Sequence, residues 1–142
     1  MEQYRSALFP KPLNVLCFPI RVPAGFPSPA QDYLAKRIDL NELLVKHPGS
    51  TFYVRAEGDS MTPAINNGDL LVIDRSAEVG TGSIVLACLN NEFCIKELFR
   101  HSDGSIELRS TNPAYGPVNL PDDCTFEVWG RVTAAINTDA FK

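Results

Sequence analysis

From residue 51 onward the chain is written in short apolar runs separated by turn residues. Thr51-Phe52-Tyr53-Val54-Arg55-Ala56 is rich in β-branched and aromatic residues and predicts a strand. The pair Asn67-Gly68 is a tight-turn signal, and the run Asp69-Leu70-Leu71-Val72-Ile73-Asp74 behind it predicts a second, central strand. Gly80-Thr81-Gly82 marks another turn, Ser83 to Leu89 a third strand, and Asn90-Asn91 a hairpin into Phe93-Cys94-Ile95-Lys96-Glu97-Leu98-Phe99. The pattern continues through Ile106–Arg109, a loop at Asn112-Pro113, and Phe126–Val132. Short strands broken by turns predict a mainly β fold, a single barrel-like domain.

Upstream the pattern changes. From Ala30 to Val45 the apolar residues Tyr33, Leu34, Ile38, Leu40, Leu43 and Leu44 recur at helical spacing, with Asp39 placed as an N-cap and Glu42 three positions on. Short helical turns are expected there, stopped by His47-Pro48-Gly49. Residues 1–30 carry Pro10, Pro12, Pro19, Pro23, Pro27 and Pro29, a density that prevents helix and interrupts a sheet ladder. This segment reads as an extended arm, and its Leu13, Val15, Leu16, Phe18, Ile20 and Val22 make it a docking segment rather than an inert linker. The expected organisation is therefore an arm over residues 1–30 and a β domain over residues 31–142.

Composition narrows the function classes. A chain of 142 residues suffices for one domain with a real core. A formal net charge of -4 argues against a protein that grips the DNA backbone by itself, which takes clustered Lys and Arg. Cys17, Cys88, Cys94 and Cys124 are widely spaced with no Cys-x-x-Cys pair, so neither a metal site nor a redox pair is expected, and nothing calls for a cofactor. No stretch has the length of a signal-peptide core or a membrane span, which makes cytoplasmic residence, away from membranes, the expectation.

The candidate chemistry lies at two places. Glu57-Gly58-Asp59-Ser60-Met61 sets a serine in a tight turn after an apolar strand, and Lys96 is a single lysine within an apolar strand. A serine hydroxyl needs a base to take its proton, and a lysine serves as that base only when its ammonium is destabilised by burial. Ser60 and Lys96 can therefore form a nucleophile and base pair. His47 and His101 sit in polar, loop-like surroundings, which disfavours a Ser-His-Asp triad. Taken alone, each feature has a plainer reading: a Gly-Asp-Ser turn is usually a turn, and a lysine among apolar residues snorkels to water.

The order of motifs decides more than either residue. Gly58-Asp59-Ser60-Met61, then Asn67-Gly68-Asp69-Leu70-Leu71-Val72-Ile73-Asp74, then Phe93-Cys94-Ile95-Lys96-Glu97-Leu98, resembles the LexA/UmuD family of self-cleaving Ser-Lys peptidases. The likeness extends to Gly25-Phe26-Pro27-Ser28-Pro29-Ala30, Arg37-Ile38-Asp39-Leu40-Asn41 and Asn112-Pro113-Ala114-Tyr115, most of the chain, and is greatest to the UmuD branch. It implies Ser60 as nucleophile, Lys96 as general base, and a scissile Ala24-Gly25 bond, with backbone N–H groups of Ser60 and Met61 holding the oxyanion. It further implies a homodimer of the SOS response to DNA damage, triggered by a RecA nucleoprotein filament and serving a UmuC-type translesion polymerase. Two other readings stay open. One is a repressor of the LexA or phage type, disfavoured because only about two dozen residues precede Gly25, too few for a helix-turn-helix module. The other is a non-catalytic β-rich interaction subunit with a structural Lys96.

Overall fold

Each strand expected between Thr51 and Val132 is present. The computed structural model describes residues 12–25 and 36–141, in two compact units that divide between Leu44 and Val45. The expectations resting on Pro10, Pro27, Pro29, Tyr33 and Leu34 lie outside the described residues.

In the first unit, β1 (Val15–Cys17) pairs antiparallel with β2 (Lys36–Ile38), Leu16 opposite Arg37, and α1 (Leu40–Leu44) follows. Asp39 caps that helix, its Oδ1 accepting the Asn41 N–H at 3.0 Å. Two expectations change here. Lys36–Ile38, read as helical, is a strand, and the cap explains why: a residue that caps with its side chain has non-helical backbone, so the residues before it stand outside the helix. The proline-rich arm also contributes to a ladder, because Pro12 and Pro19 fall outside the three paired residues and no proline is asked to donate.

The second unit is a seven-stranded antiparallel sheet. Its strands are β3 (Thr51–Arg55), β4 (Leu70–Asp74), β5 (Ile84–Leu89), β6 (Glu92–Arg100), β7 (Ile106–Arg109), β8 (Val118–Asn119) and β9 (Phe126–Ile136), in the spatial order β3-β4-β9-β5-β6-β7-β8. The run Leu70–Asp74 is inner, between β3 and β9, as its apolar character requires. The long β9 bridges β4 and β5 and meets each with a register shift, opposite Val72/Ile73 and opposite Leu86/Ala87. An extra residue in one strand bends it and increases its twist, so two bulges in one strand curl the sheet toward a barrel-like form.

Burial on both sides of the sheet follows from strand alternation. On β5, Leu86 packs with Met61, Ile65, Leu71 and Ile73, while its neighbours Val85 and Ala87 pack with Leu98 and Leu108. Burying a side chain of this size contributes roughly 1.5–3 kcal/mol relative to leaving it in water. The start of β3 is tied to the end of β4 by Asp74, a buried carboxylate. It meets His47 Nδ1 at 2.6 Å and accepts from Ser50 Oγ at 3.2 Å, the Ser76 N–H at 2.9 Å and Ser76 Oγ at 2.8 Å. The His47 contact, with the serine donors behind it, holds the Asp74 carboxyl well below the usual carboxylate range despite its burial.

Close packing of β4 against β9 leaves no room at Gly130, where an added Cβ would come 2.7 Å from Ile73 Cγ2 and 3.1 Å from the Asp74 carbonyl oxygen. Gly130→Ala is expected to lower the unfolding free energy by about 1–3 kcal/mol, the usual cost of overpacking. Urea denaturation checks it, and an unchanged midpoint would show that Ile73 yields.

Candidate active site

Ser60 is held from both sides. On its own side, β3 runs into a loop whose base is closed by two backbone bonds, Ala56 N–H to the Asp69 carbonyl at 2.9 Å and Gly68 N–H to the Ala56 carbonyl at 2.8 Å. Gly58 turns the chain with φ +88, a conformation side chains resist, and its N–H donates to Asn67 Oδ1 at 2.9 Å. The residue after Ser60 is the anchor: Met61 is buried, as is Ile65 one turn on, whose N–H donates to the Met61 carbonyl at 2.9 Å. Seating Met61 in the core fixes where Ser60 can be.

On the other side, the segment after β7 clamps the same loop. Thr111 Oγ1 donates to the Met61 carbonyl at 2.5 Å and the Asn112 N–H to the Ser60 carbonyl at 3.0 Å. Asn112 Nδ2 donates to the Asp59 carbonyl at 2.9 Å, and the Tyr115 hydroxyl donates to Asp59 Oδ1 at 2.5 Å. That hydrogen bond pushes the Tyr115 phenol up, since it holds the proton in place, and ionisation would also set two negative charges together.

Lys96 enters from β6. Its Nζ lies 3.2 Å from Ser60 Oγ and 3.0 Å from Ser110 Oγ, all three side chains being partly buried. Among the described residues no carboxylate lies within ion-pair distance of this amine. Next to it, burial pushes the Cys94 thiol up, an effect that the Lys96 charge opposes. Ser60 and Lys96 open onto a cavity of about 590 Å³ with apolar walls that include Phe52, Val54, Phe93, Ile95 and Trp129. Phe93 and Trp129 meet edge to face with ring centres 5.0 Å apart.

The arrangement brings together a hydroxyl, an amine and an apolar cleft. Among the described residues neither the Ser60 nor the Met61 N–H donates a hydrogen bond. Ala24 and Gly25 lie in a bend of the first unit. The histidines are engaged elsewhere, His47 with Asp74 and His101 Nε2 with Glu107 at 2.9 Å. Ser110, Thr111 and the Asp59–Tyr115 pair escaped the sequence reading. The signal for Ser110 was strand register: Glu97 stands opposite Arg109, so one step along the ladder places Ser110 opposite Lys96.

The Peptidase S24-like family model matches residues 16–133. The chain belongs to the peptidase S24-like family. It is 40% identical over 125 residues to the protein MucA of Salmonella typhimurium, covering 82% of this chain and 80% of MucA. To SamA of Salmonella typhimurium strain LT2 it is 42% identical over 121 residues, 84% of this chain and 83% of SamA. The LexA repressor of Bordetella petrii is 34% identical over 122 residues, 84% of this chain but 53% of the repressor. The resemblance read from the motifs thus holds at the level of the family, which includes self-cleaving Ser-Lys peptidases. Among the described residues no helix is long and apolar enough to cross a membrane.

If the Asp59 carboxylate holds the Tyr115 proton, Asp59→Asn will lower the Tyr115 phenol toward its ordinary value. Absorbance titration at 295 nm, with Tyr115→Phe to identify the signal, checks this. An unshifted titration would remove the carboxylate as cause.

Proposed function

We propose that this S24-like protein cleaves its own chain at Ala24-Gly25 with Ser60 as nucleophile and Lys96 as general base. The observation that carries the reading is the 3.2 Å approach of the Lys96 amine to Ser60 Oγ, with no carboxylate among the described residues to hold it as an ion pair. An ammonium in a salt bridge is a poor base, whereas an amine beside a hydroxyl can take its proton. In the reaction, Ser60 Oγ bonds to the Ala24 carbonyl carbon as its proton passes to Lys96. The oxyanion is met by the N–H groups of Ser60 and Met61. The Ala24–Gly25 bond then breaks, with the proton delivered to the Gly25 nitrogen. The acyl-enzyme on Ala24 is hydrolysed by a water that gives its proton to Lys96.

The small side chain of Ala24 and the absence of one on Gly25 suit a bond that must lie close against a hydroxyl in an apolar cleft. In this reading residues 1–30 are the arm that carries the substrate bond into the cleft, and residues 31–142 the domain that cuts it. The likeness to the UmuD branch supports a role in SOS mutagenesis: a RecA filament favours the docked arm, and the trimmed homodimer serves a UmuC-type translesion polymerase in the cytoplasm.

Intact mass after incubation of the purified protein at mildly alkaline pH tests the chemistry with no partner present. The expected product begins at Gly25, and both Ser60→Ala and Lys96→Ala abolish it while the fold persists. Normal processing in the Lys96→Ala variant would favour a non-catalytic, structural lysine, and a product with another amino terminus would discard the Ala24-Gly25 bond.

A further inference from the structure

Among the described residues the Lys96 amine has a partner that the cleavage chemistry does not use, Ser110. Its Oγ lies 3.0 Å from Nζ, nearer than Ser60 Oγ at 3.2 Å. The contact is built into the fold, since extending the β6–β7 register beyond Glu97–Arg109 sets Ser110 directly across from Lys96, where side chains share a face. The following residues, Thr111 and Asn112, hold the Ser60 loop through the carbonyls of Met61 and Ser60. One short segment therefore touches the base with its first residue and the nucleophile's backbone with the next two.

We propose that Ser110 is the positioning residue that aims the Lys96 lone pair at Ser60. This rests on the Ser60-Lys96 reading above. As an ammonium, the nitrogen donates to both hydroxyl oxygens. Once neutral, it has two N–H donors and a single lone pair, and rotation about its terminal C–N bond decides where that pair points. With no carboxylate among the described residues within ion-pair distance to orient it, a hydroxyl oxygen accepting one N–H is what fixes the rotation. Ser110 supplies that oxygen, and the lone pair is left facing the Ser60 O–H. Exchange of the two roles would activate the wrong serine, but it is Ser60 that lines the cleft beside Lys96, whereas Ser110 is not among its lining residues. Ser110 acts through Lys96 and does not touch the substrate.

The test reads Ser60 directly, without the arm or its cleavage. A small alkyl fluorophosphonate reacts as the Ser60 Oγ–P bond forms and the P–F bond breaks, fluoride leaving and the Ser60 proton passing to Lys96. Rates are followed by intact mass on the full chain, with peptide mapping to confirm Ser60 as the labelled residue. Losing one orienting hydrogen bond is expected to slow labelling about tenfold in Ser110→Ala and in Ser110→Cys, whose sulfur is a weak acceptor of nearly the same size. Ser110→Thr keeps the hydroxyl and is expected to recover to within about threefold of wild type. Thermal melts of all three confirm that folded protein is compared. Labelling of the alanine or cysteine variant at the wild-type rate overturns the proposal, and so does a threonine variant as slow as alanine, since side-chain shape and not the acceptor would then matter. A folded wild type that takes no label overturns the Ser60-Lys96 pair itself, and this proposal with it. Labelled wild type with undiminished variants overturns the proposal alone.

Discussion

The contact between the Lys96 amine and Ser60 sets the demand that the rest of the second unit meets. A hydrogen bond weakens within a few tenths of an ångström, and the two side chains come from places 36 residues apart. Neither place is rigid alone. A strand is held only by its neighbours, and a loop of the Glu57–Asn67 kind is held only where its ends and its apolar residues are fixed. The sheet supplies the first condition by placing β6 inside, between β5 and β7. The core supplies the second by taking Met61 and Ile65. Position at the site is thus a consequence of burial one residue away from it.

The route by which β9 joins the two halves of the sheet has the same logic. Its two bulges let one continuous strand serve β4 at one end and β5 at the other while the sheet curls between them. Trp129, at one of those irregularities, presents its ring to Phe93 on the hairpin that carries Lys96, and the Arg75 guanidinium lies over the same ring, 5.1 Å from its centre. The apolar wall of the cleft and the strand bearing Lys96 are therefore parts of one packed region. Gly130 follows because a bend this tight brings β4 against β9 where no side chain fits.

How much could be read in the residues depended on how local the determinant was. The runs at Leu70–Asp74 and Ile84–Leu89 announce themselves because an inner strand must be apolar along its length and its turns use Gly and Asn. Asp39 as a cap is equally local, one side chain reaching one amide two residues away. The pairing of Val15–Cys17 with Lys36–Ile38 was not legible, since three residues have no period and the partner lies about two dozen residues off. Nor was β8, a two-residue strand defined by its neighbour alone. At the site, Ser60 and Lys96 stood out through the order and spacing of the motifs that carry them, since each residue alone has a plainer reading. Ser110 did not, because a serine at the end of a strand is unremarkable until the register sets it opposite a lysine.

That register also explains why the amine has the neighbours it has. A partly buried ammonium is best compensated by a carboxylate, and a surface lysine needs no partner at all. Among the described residues Lys96 has neither arrangement: it stands in an apolar strand and meets two neutral hydroxyls. Folding alone favours replacing such a group with a residue like the Val85 opposite it on β5, which is fully buried. Two hydroxyls hold the amine in place without neutralising it by an opposite charge. The surrounding elements bear the energetic cost of that choice. The core under Met61, the ladder on either side of β6 and the clamp from Thr111 to Tyr115 are arranged around a side chain that stability by itself would not have selected.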